Sequence, residues 1–508
     1  MKQIPADQVV AKIRTENPWW EQPHSLPPTI RELRPRPYLE LLYPLIRNRA
    51  VRRAIVLMGP RRVGKTVLIH HAIQRLIQDG VAPRRLCYVS VDHPLYNGLS
   101  LEEILQAYGA ASGIDYRREE CFVFFDEIQY LRNWEVHLKT LVDNYDSPKF
   151  IGSGSAAAAL RLKSTESGAG RFTNFMLPPL TFHEYLFLLG QTDLVRFDVS
   201  SQGFVRDITT HNMQRLNEQF LNYLNFGGYP EVAFSKEIQE NPGRFVKSDI
   251  IDKVLLRDLP TLYGVQDVPE LNYLFTTLAF NTADEISLQE LSKGSGVAKN
   301  TIKRYIEYLE ASFLVRVVHR VDRNARRFKR ANFFKVYLTN PSIRSALFAP
   351  VNAEDEVMGA LVETAVFSQW FHSDIQLYYA RWNRGEVDIV CLGPDQKAKW
   401  ALEAKWSDRY FDHPEELRSL ISFCHAQNLK EAMVTTRTRT GRIEKDNVTL
   451  QFIPASLYCY AIGYNIVHGM SACRASLKKT MADRAGDRLR TVSDIMRGLV
   501  LRVRLHRW

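Results

Sequence analysis

The sequence predicts an α/β chain of several domains: a parallel-sheet domain with a phosphate loop, a helical segment with a winged helix, and a C-terminal α/β domain of restriction-endonuclease type. Three observations lead there. In the first third, short and continuously apolar strands alternate with amphipathic helices. A glycine loop joins the first of these strands to its helix. Near the C-terminus two strands carry acids and a lysine at a spacing of two.

Composition sets the outer limits. A chain of 508 residues is too long for a single core. Its 45% apolar and 24% charged residues are ordinary for a globular protein. No run of eighteen apolar residues occurs, so no transmembrane helix and no membrane partner is expected. The N-terminus MKQIPADQVVAKIRTENPWW has acids and no apolar core, unlike a secretory signal. Six scattered cysteines fit a reducing cytosol and exclude a cysteine zinc ribbon. The net charge of +11 is uneven. From Ser471 onward ten Lys or Arg face three Asp, which is +7 and leaves +4 for the rest. A polyanionic partner is therefore only weakly indicated by charge alone.

In chain order, residues 1–50 read as a helical extension rich in Pro and Trp. Residues 51–208 form the phosphate-loop domain, with strands at Ala54–Met58, from Leu86, from Cys121 and from Lys149. Residues 209–284 are a helical lid or linker. Residues 285–345 give helix, turn, helix and a basic strand pair, the order of a winged helix. Residues 346–465 form the small α/β domain, and 466–508 a basic tail that could bind DNA, be disordered, or lie on a membrane surface.

The loop Gly59-Pro60-Arg61-Arg62-Val63-Gly64-Lys65-Thr66, followed by Val67, has the spacing that cradles nucleotide phosphates. Its glycines let amides turn toward phosphate, Lys65 reaches the β- and γ-phosphates, and the Thr66 hydroxyl meets Mg²⁺. The helix that starts at Lys65 adds its positive end. FVFFDEIQ brings Asp126 and Glu127 to the end of a strand, where one would hold Mg²⁺ through water and the other polarise the attacking water. Ser153 at the next strand tip is suited to orienting the water or sensing the γ-phosphate. Arg171, in the glycine-flanked loop GAGRF, reads as an arginine finger for its own site or a neighbour's, or as a solvated loop residue.

GPRRVGKT, FFDEIQ, GSGS, AGR with PLTFHEYL, and FGGYPE at Phe226 to Glu231 occur in that order. Together they resemble a large bacterial and archaeal family of AAA-type ATPases with a C-terminal domain of unknown function. ENPWW resembles one branch of that family, and the likeness covers about Lys12 to Tyr460. It implies an AAA-like P-loop domain using ATP and Mg²⁺, a helical segment, a winged helix and a PD-(D/E)XK nuclease-like domain.

A nuclease centre of that type needs an acid on a helix, an acid on one strand and E-x-K on the next. Glu363 in MGALVETAVFSQWF, Asp388 after Glu386, and Glu403 with Lys405 in ALEAKW supply the set. Arg381 in the preceding strand is available to phosphate. Such folds also persist as binding modules, so cleavage does not follow from the set. Lys299, Lys303 and Arg304 on the second helix, and Arg320, Arg323, Arg326, Arg327, Lys329 and Arg330 after it, suit a phosphate backbone. The same winged helix could instead serve protein contacts.

The expectation is an ATPase that binds and remodels or translocates DNA, branched DNA included. It works as a homo-oligomer, with a hexameric ring as one form. The rivals are an ATP-gated Mg²⁺ nuclease in repair or defence, and a nucleotide-switched signalling or scaffold ATPase that binds a protein instead of DNA.

Overall fold

The structure is a computed structural model that describes residues 5–22, 26–154, 170–200, 203–327, 332–371, 373 and 375–469. Lys329, Arg330, the Gly168–Ala169 half of the glycine-flanked loop and the tail from residue 470 lie outside the described residues. The chain forms two compact units, divided between Leu177 and Pro178, with Ala311–Phe313 grouped with the first. Among the described residues no helix is long and apolar enough to cross a membrane.

The first unit opens with helices α1 (Ala6–Glu16) and α2 (Leu39–Arg47). Its sheet contains β1 (Ala54–Met58), β2 (Leu86–Ser90), β3 (Cys121–Asp126), β4 (Pro148–Gly154) and β5 (Phe172–Met176). All pairings are parallel, in the order β2-β3-β4-β1-β5. Residues of β1 and β3 are buried throughout, as strands are when helices cover both faces of a parallel sheet. Those helices are α3 (Lys65–Gln78), α4 (Leu101–Ser112) and α5 (Trp134–Asn144). A capping box starts α4, with the Ser100 hydroxyl accepting from the Glu103 amide and Glu103 accepting from Ser100 N.

The ENPWW stretch closes the sheet's β2 edge. Asn17, 1% exposed, donates to Tyr88 O at 2.8 Å and accepts from Tyr88 N at 2.7 Å, so one amide side chain imitates a neighbouring strand. The indole nitrogens of Trp19 and Trp20 both donate to Leu86 O.

The second unit begins with α6 (Phe182–Leu188), capped by Thr181 and Glu184, and the hairpin β6 (Val195–Val199) and β7 (Val205–Thr210). Helices α7 (Met213–Phe226) and α8 (Val268–Phe280) follow. PLTFHEYL and FGGYPE are brought together here. Leu180 N donates to Gly228 O at 2.9 Å, and Tyr223 OH donates to Leu180 O at 2.9 Å.

A nine-stranded mixed sheet fills the rest of this unit. Its members are β8 (Glu285–Ser287), β9 (Val315–Val321), β10 (Phe333–Leu338), β11 (Leu377–Trp382), β12 (Gly385–Leu392), β13 (Ala398–Glu403), β14 (Glu431–Thr436), β15 (Gly441–Lys445) and β16 (Val448–Pro454). The order is β15-β16-β14-β13-β12-β11-β9-β10-β8. Helices α9 (Leu288–Ser295) and α10 (Lys299–Ala311) lie between β8 and β9 in the chain. Buried helices α11 (Met358–Ser368) and α13 (Ala455–Tyr464) and the half-buried α12 (Arg418–Gln427) complete it.

Strands on both sides of residue 345 therefore share one sheet. Among the described residues their backbone pairing joins Tyr379 to Arg320 and Ala380 to Val321, a parallel seam of two residues. Two strands separate β10 from β12, which in a flat sheet is about 14 Å. Two long side chains bridge that span: the Lys335 ammonium of β10 lies 2.7 Å from Glu386 of β12.

Candidate functional site

In the first unit, parallel strands deliver their C-terminal ends to one edge of the sheet, where ligands of open α/β sheets bind. β1 ends at Met58 and runs into Gly59 and Pro60. A Cβ on Gly59 would stand 2.2 Å from Leu177 O, so the strand neighbour demands glycine there. Gly64 has φ +90°, the left-handed conformation that turns the loop into α3. Lys65, 5% exposed, places its ammonium 3.0 Å from Gly59 O and 2.8 Å from Pro60 O. Arg61 donates to Tyr130 OH, Arg62 is exposed with φ 63°, and Val67 is half-buried on the first turn of α3. Val63 is buried, and its carbonyl accepts from Arg36 at 2.7 Å.

The acids from β3 arrive at the same edge. Thr66 Oγ1 donates to Asp126 Oδ2 at 2.6 Å, and Tyr88 OH donates to the same oxygen at 2.9 Å. Ser153 Oγ donates to Asp126 Oδ1 and accepts from Glu127 N. Glu127 itself is left-handed at φ 54° and accepts from Gln129. A non-glycine residue at positive φ stores strain of the kind that collects at functional sites. The structure thus brings Lys65, Thr66, Asp126, Glu127 and Ser153 together.

Arg171 is elsewhere. Phe172 pairs with Ala54 and Met176 with Met58, so Arg171 precedes the strand at the end away from the loop. Five strand residues separate the two ends, about 16 Å. Its guanidinium pairs with Asp143.

The second unit assembles the four residues of the nuclease-like set. Alternation on β12 puts Glu386 and Asp388 on one face. Lys405 Nζ stands 2.9 Å from Glu403 Oε1 and 3.4 Å from Asp388 Oδ2. The Ala404 amide donates to Asp388 Oδ2 at 2.8 Å, and the Thr435 hydroxyl holds the Lys405 backbone by two bonds. Glu363, on α11, accepts from Tyr337 OH at 2.6 Å. Burial, with Asp388 adding to it, raises the Glu363 and Glu403 carboxyls to about 7, against the pull of the lysines. Arg381 does not project alone; it pairs with Glu386 at 3.1 Å and Glu285 at 3.4 Å.

One member of this cluster has no place in the expected set. Lys335 of β10 is 3% exposed and lies 2.9 Å from Glu363, 2.7 Å from Glu386 and 3.9 Å from Asp388. Burial alone would lower its pKa, but Glu363 and the other anionic neighbours prevail and raise it. A single charge inside the apolar run FFKVYL was the available signal. Arg36 and Tyr88, which touch the phosphate-loop site, carry no such mark in the sequence.

Of the predicted DNA contacts, Lys299, Lys303 and Arg304 are exposed on α10, and Lys303 pairs with Glu307 at 3.9 Å. Arg323, Arg326 and Arg327 are exposed in the turn after β9. That turn is docked, because Gln427 of α12 donates to Arg323 O and the Arg327 guanidinium lies over the Tyr378 ring.

Comparison with known proteins agrees with the first site. Residues 51–186 match the family model described as an AAA domain, so the chain carries a P-loop domain of the AAA type. Residues 217–355 match a model described as Domain of unknown function (DUF8612). Two uncharacterized proteins of Methanocaldococcus jannaschii are 24% and 22% identical, each over 67% of this chain and 73% of its own length. An uncharacterized protein of Haemophilus influenzae is 22% identical over 75% of this chain and 88% of its own. Among solved structures, the S. cerevisiae Hsp104–ADP complex matches 54% of this chain at 15% identity and a TM-score of 0.27. The extended Hsp104–casein complex matches 58% at 18% and 0.29. This chain spans only 37% and 52% of those two chains, and at these scores neither bears on function.

Proposed function

We propose that the chain is an ATP-hydrolysing AAA-type ATPase that binds DNA through its second unit and remodels it or moves along it. The observation that carries the ATPase half is the 2.6 Å bond from Thr66 to Asp126 beside the Lys65 ammonium. It joins the loop to the β3 acid where a nucleotide with Mg²⁺ needs both. The left-handed Gly64 and the amino end of α3 also fit phosphate.

In this reading Mg²⁺ would neutralise charge on the β- and γ-phosphates. Thr66 and Asp126 would hold the ion, and Lys65 would bind phosphate oxygens. Glu127 would orient and polarise the attacking water. Ser153, bonded to both acids' segment, would report the state of the γ-phosphate to β4. Arg171 is too far from its own loop to reach phosphate there, which favours a finger offered to a neighbouring subunit.

DNA as partner is supported by the exposed Lys299, Lys303 and Arg304 and by the arginines after β9. The test is the ATPase rate with no DNA and with duplex, single-stranded and four-way DNA, at low and moderate salt. Expected is a severalfold stimulation that fades with salt. Glu127→Gln should lower the rate about 10²-fold or more while ATP still binds. Hydrolysis that survives in Lys65→Ala would remove the first half of the reading. A rate indifferent to every DNA would remove the second.

A further inference from the structure

A phosphate loop binds through its backbone amides, so whatever aims those amides is part of the site. Val63 lies between two residues in the left-handed region, Arg62 at φ 63° and Gly64 at φ +90°. Arg62 holds that conformation without glycine's freedom, and such backbone persists only where its surroundings over-determine it. The loop therefore needs a hold from outside its own residues.

Arg36 supplies one. It lies 27 residues before Val63 and is 6% exposed, and its guanidinium donates to Val63 O at 2.7 Å. The same guanidinium sits 5.4 Å from the centre of the buried Tyr38 ring. A charge this deep persists only where acceptors meet it, and a carbonyl of the phosphate loop is one of them. The helix that follows Arg36 is fastened to the helix that the loop opens. Glu40 of α2 pairs with Arg75 of α3 at 2.7 Å, and the Tyr43 hydroxyl of α2 donates to Asp79, just past the end of α3. Arg36 is thus built into a segment tied to α3.

The peptide between Val63 and Gly64 is planar and trans, so its C=O and N–H point opposite ways. A donor that fixes Val63 O on one side aims the Gly64 amide to the other. We infer that Arg36 is a positioning residue for nucleotide binding: its guanidinium holds Val63 O so that the Gly64 amide faces the phosphates of a bound nucleotide. This role rests on the reading of the loop as an ATP site, and in it Arg36 touches no phosphate. Lys65 differs, because its ammonium, which rests on Gly59 O and Pro60 O, is the group that goes to the phosphates in that reading.

The test is binding of ADP carrying a methylanthraniloyl fluorophore, with Mg²⁺, to the full chain, followed by fluorescence anisotropy. Arg36→Met keeps a long stem and removes the donor, and should weaken binding about tenfold or more. Arg36→Lys restores a cationic donor and should recover part of that loss. In ATP hydrolysis Arg36→Met should raise KM and leave kcat within about threefold, because an interaction made equally before and in the transition state does not change kcat. Urea unfolding identifies the folded variants. A folded Arg36→Met chain that binds as tightly as wild type overturns the inference, as does a loss confined to kcat. An Arg36→Lys chain no tighter than Arg36→Met overturns it too, since lost packing alone would then explain the defect. If Arg36→Met does not fold, Arg36→Gln is read by the same criterion. A wild-type chain that binds no labelled ADP removes the nucleotide reading and this role together, whereas a variant equal to wild type removes the role alone.

Discussion

At the scale of single residues, the side chains that matter most are polar groups with buried partners. Asp126 accepts from Thr66, Tyr88 and Ser153, three hydroxyls from three different elements. That fixes the carboxylate before any ligand arrives. His183 illustrates the opposite condition. It is buried against the rings of Tyr460, Tyr464 and His468, and its Nδ1 has no hydrogen-bond partner. Burial, reinforced by His468, pushes its imidazole down to about 3. The folded chain thus keeps His183 neutral while the unfolded chain protonates it near 6.5. The unfolded state binds more protons in the window from about 6.5 down to 3. His183 therefore costs stability as pH falls, by about 1.4 kcal/mol per pH unit within that window, and nothing above it. Urea midpoints at pH 7.5 and pH 5 should drop less in His183→Gln than in wild type; equal drops would show that His183 is not responsible.

At the scale of elements, the edge of β2 and the seam between β9 and β11 are where the chain departs from local pattern. Asn17→Ala removes an amide that bonds Tyr88 N, Tyr88 O and Ile13 O in a buried position. It leaves those backbone groups unpaired, and should destabilise by about 1–3 kcal/mol in thermal unfolding. An unchanged midpoint would mean that water replaces the amide. The apolar strands β1 to β3 were legible because burial on both faces writes itself as a continuous run. The pairing of Asn17 with Tyr88 was not, since 71 residues separate them and neither belongs to a periodic pattern. The same holds for the seam. The helix-turn-helix order and the E-V-D strand were each readable, but two paired residues leave no trace in sequence that β9 and β11 share a sheet.

At the scale of the whole molecule, two expectations concern how copies of the chain and nucleic acid come together. If α10 lies on a phosphate backbone, reversing Lys299, Lys303 and Arg304 to Glu should weaken DNA binding for every sequence alike. The log–log salt slope should fall by about 1 for each phosphate no longer neutralised. An unaltered slope would move DNA away from α10. If Arg171 serves a neighbour, Lys65→Ala and Arg171→Ala chains should each be inactive alone and regain ATPase when mixed. Mixtures as inactive as their parts would deny the shared site.

The sequence by itself determined the chemistry that sits in short contiguous runs. GPRRVGKT, FFDEIQ and the E-x-K pair each place their groups through loop geometry or strand alternation, which are local rules. Only the tertiary structure decided that Lys335 enters the acidic cluster, that Arg171 lies at the far end of its own sheet, and that ENPWW covers an edge. Each depends on residues distant in the chain meeting across strands or packed elements. The spacing of residues along a sequence carries no record of such meetings.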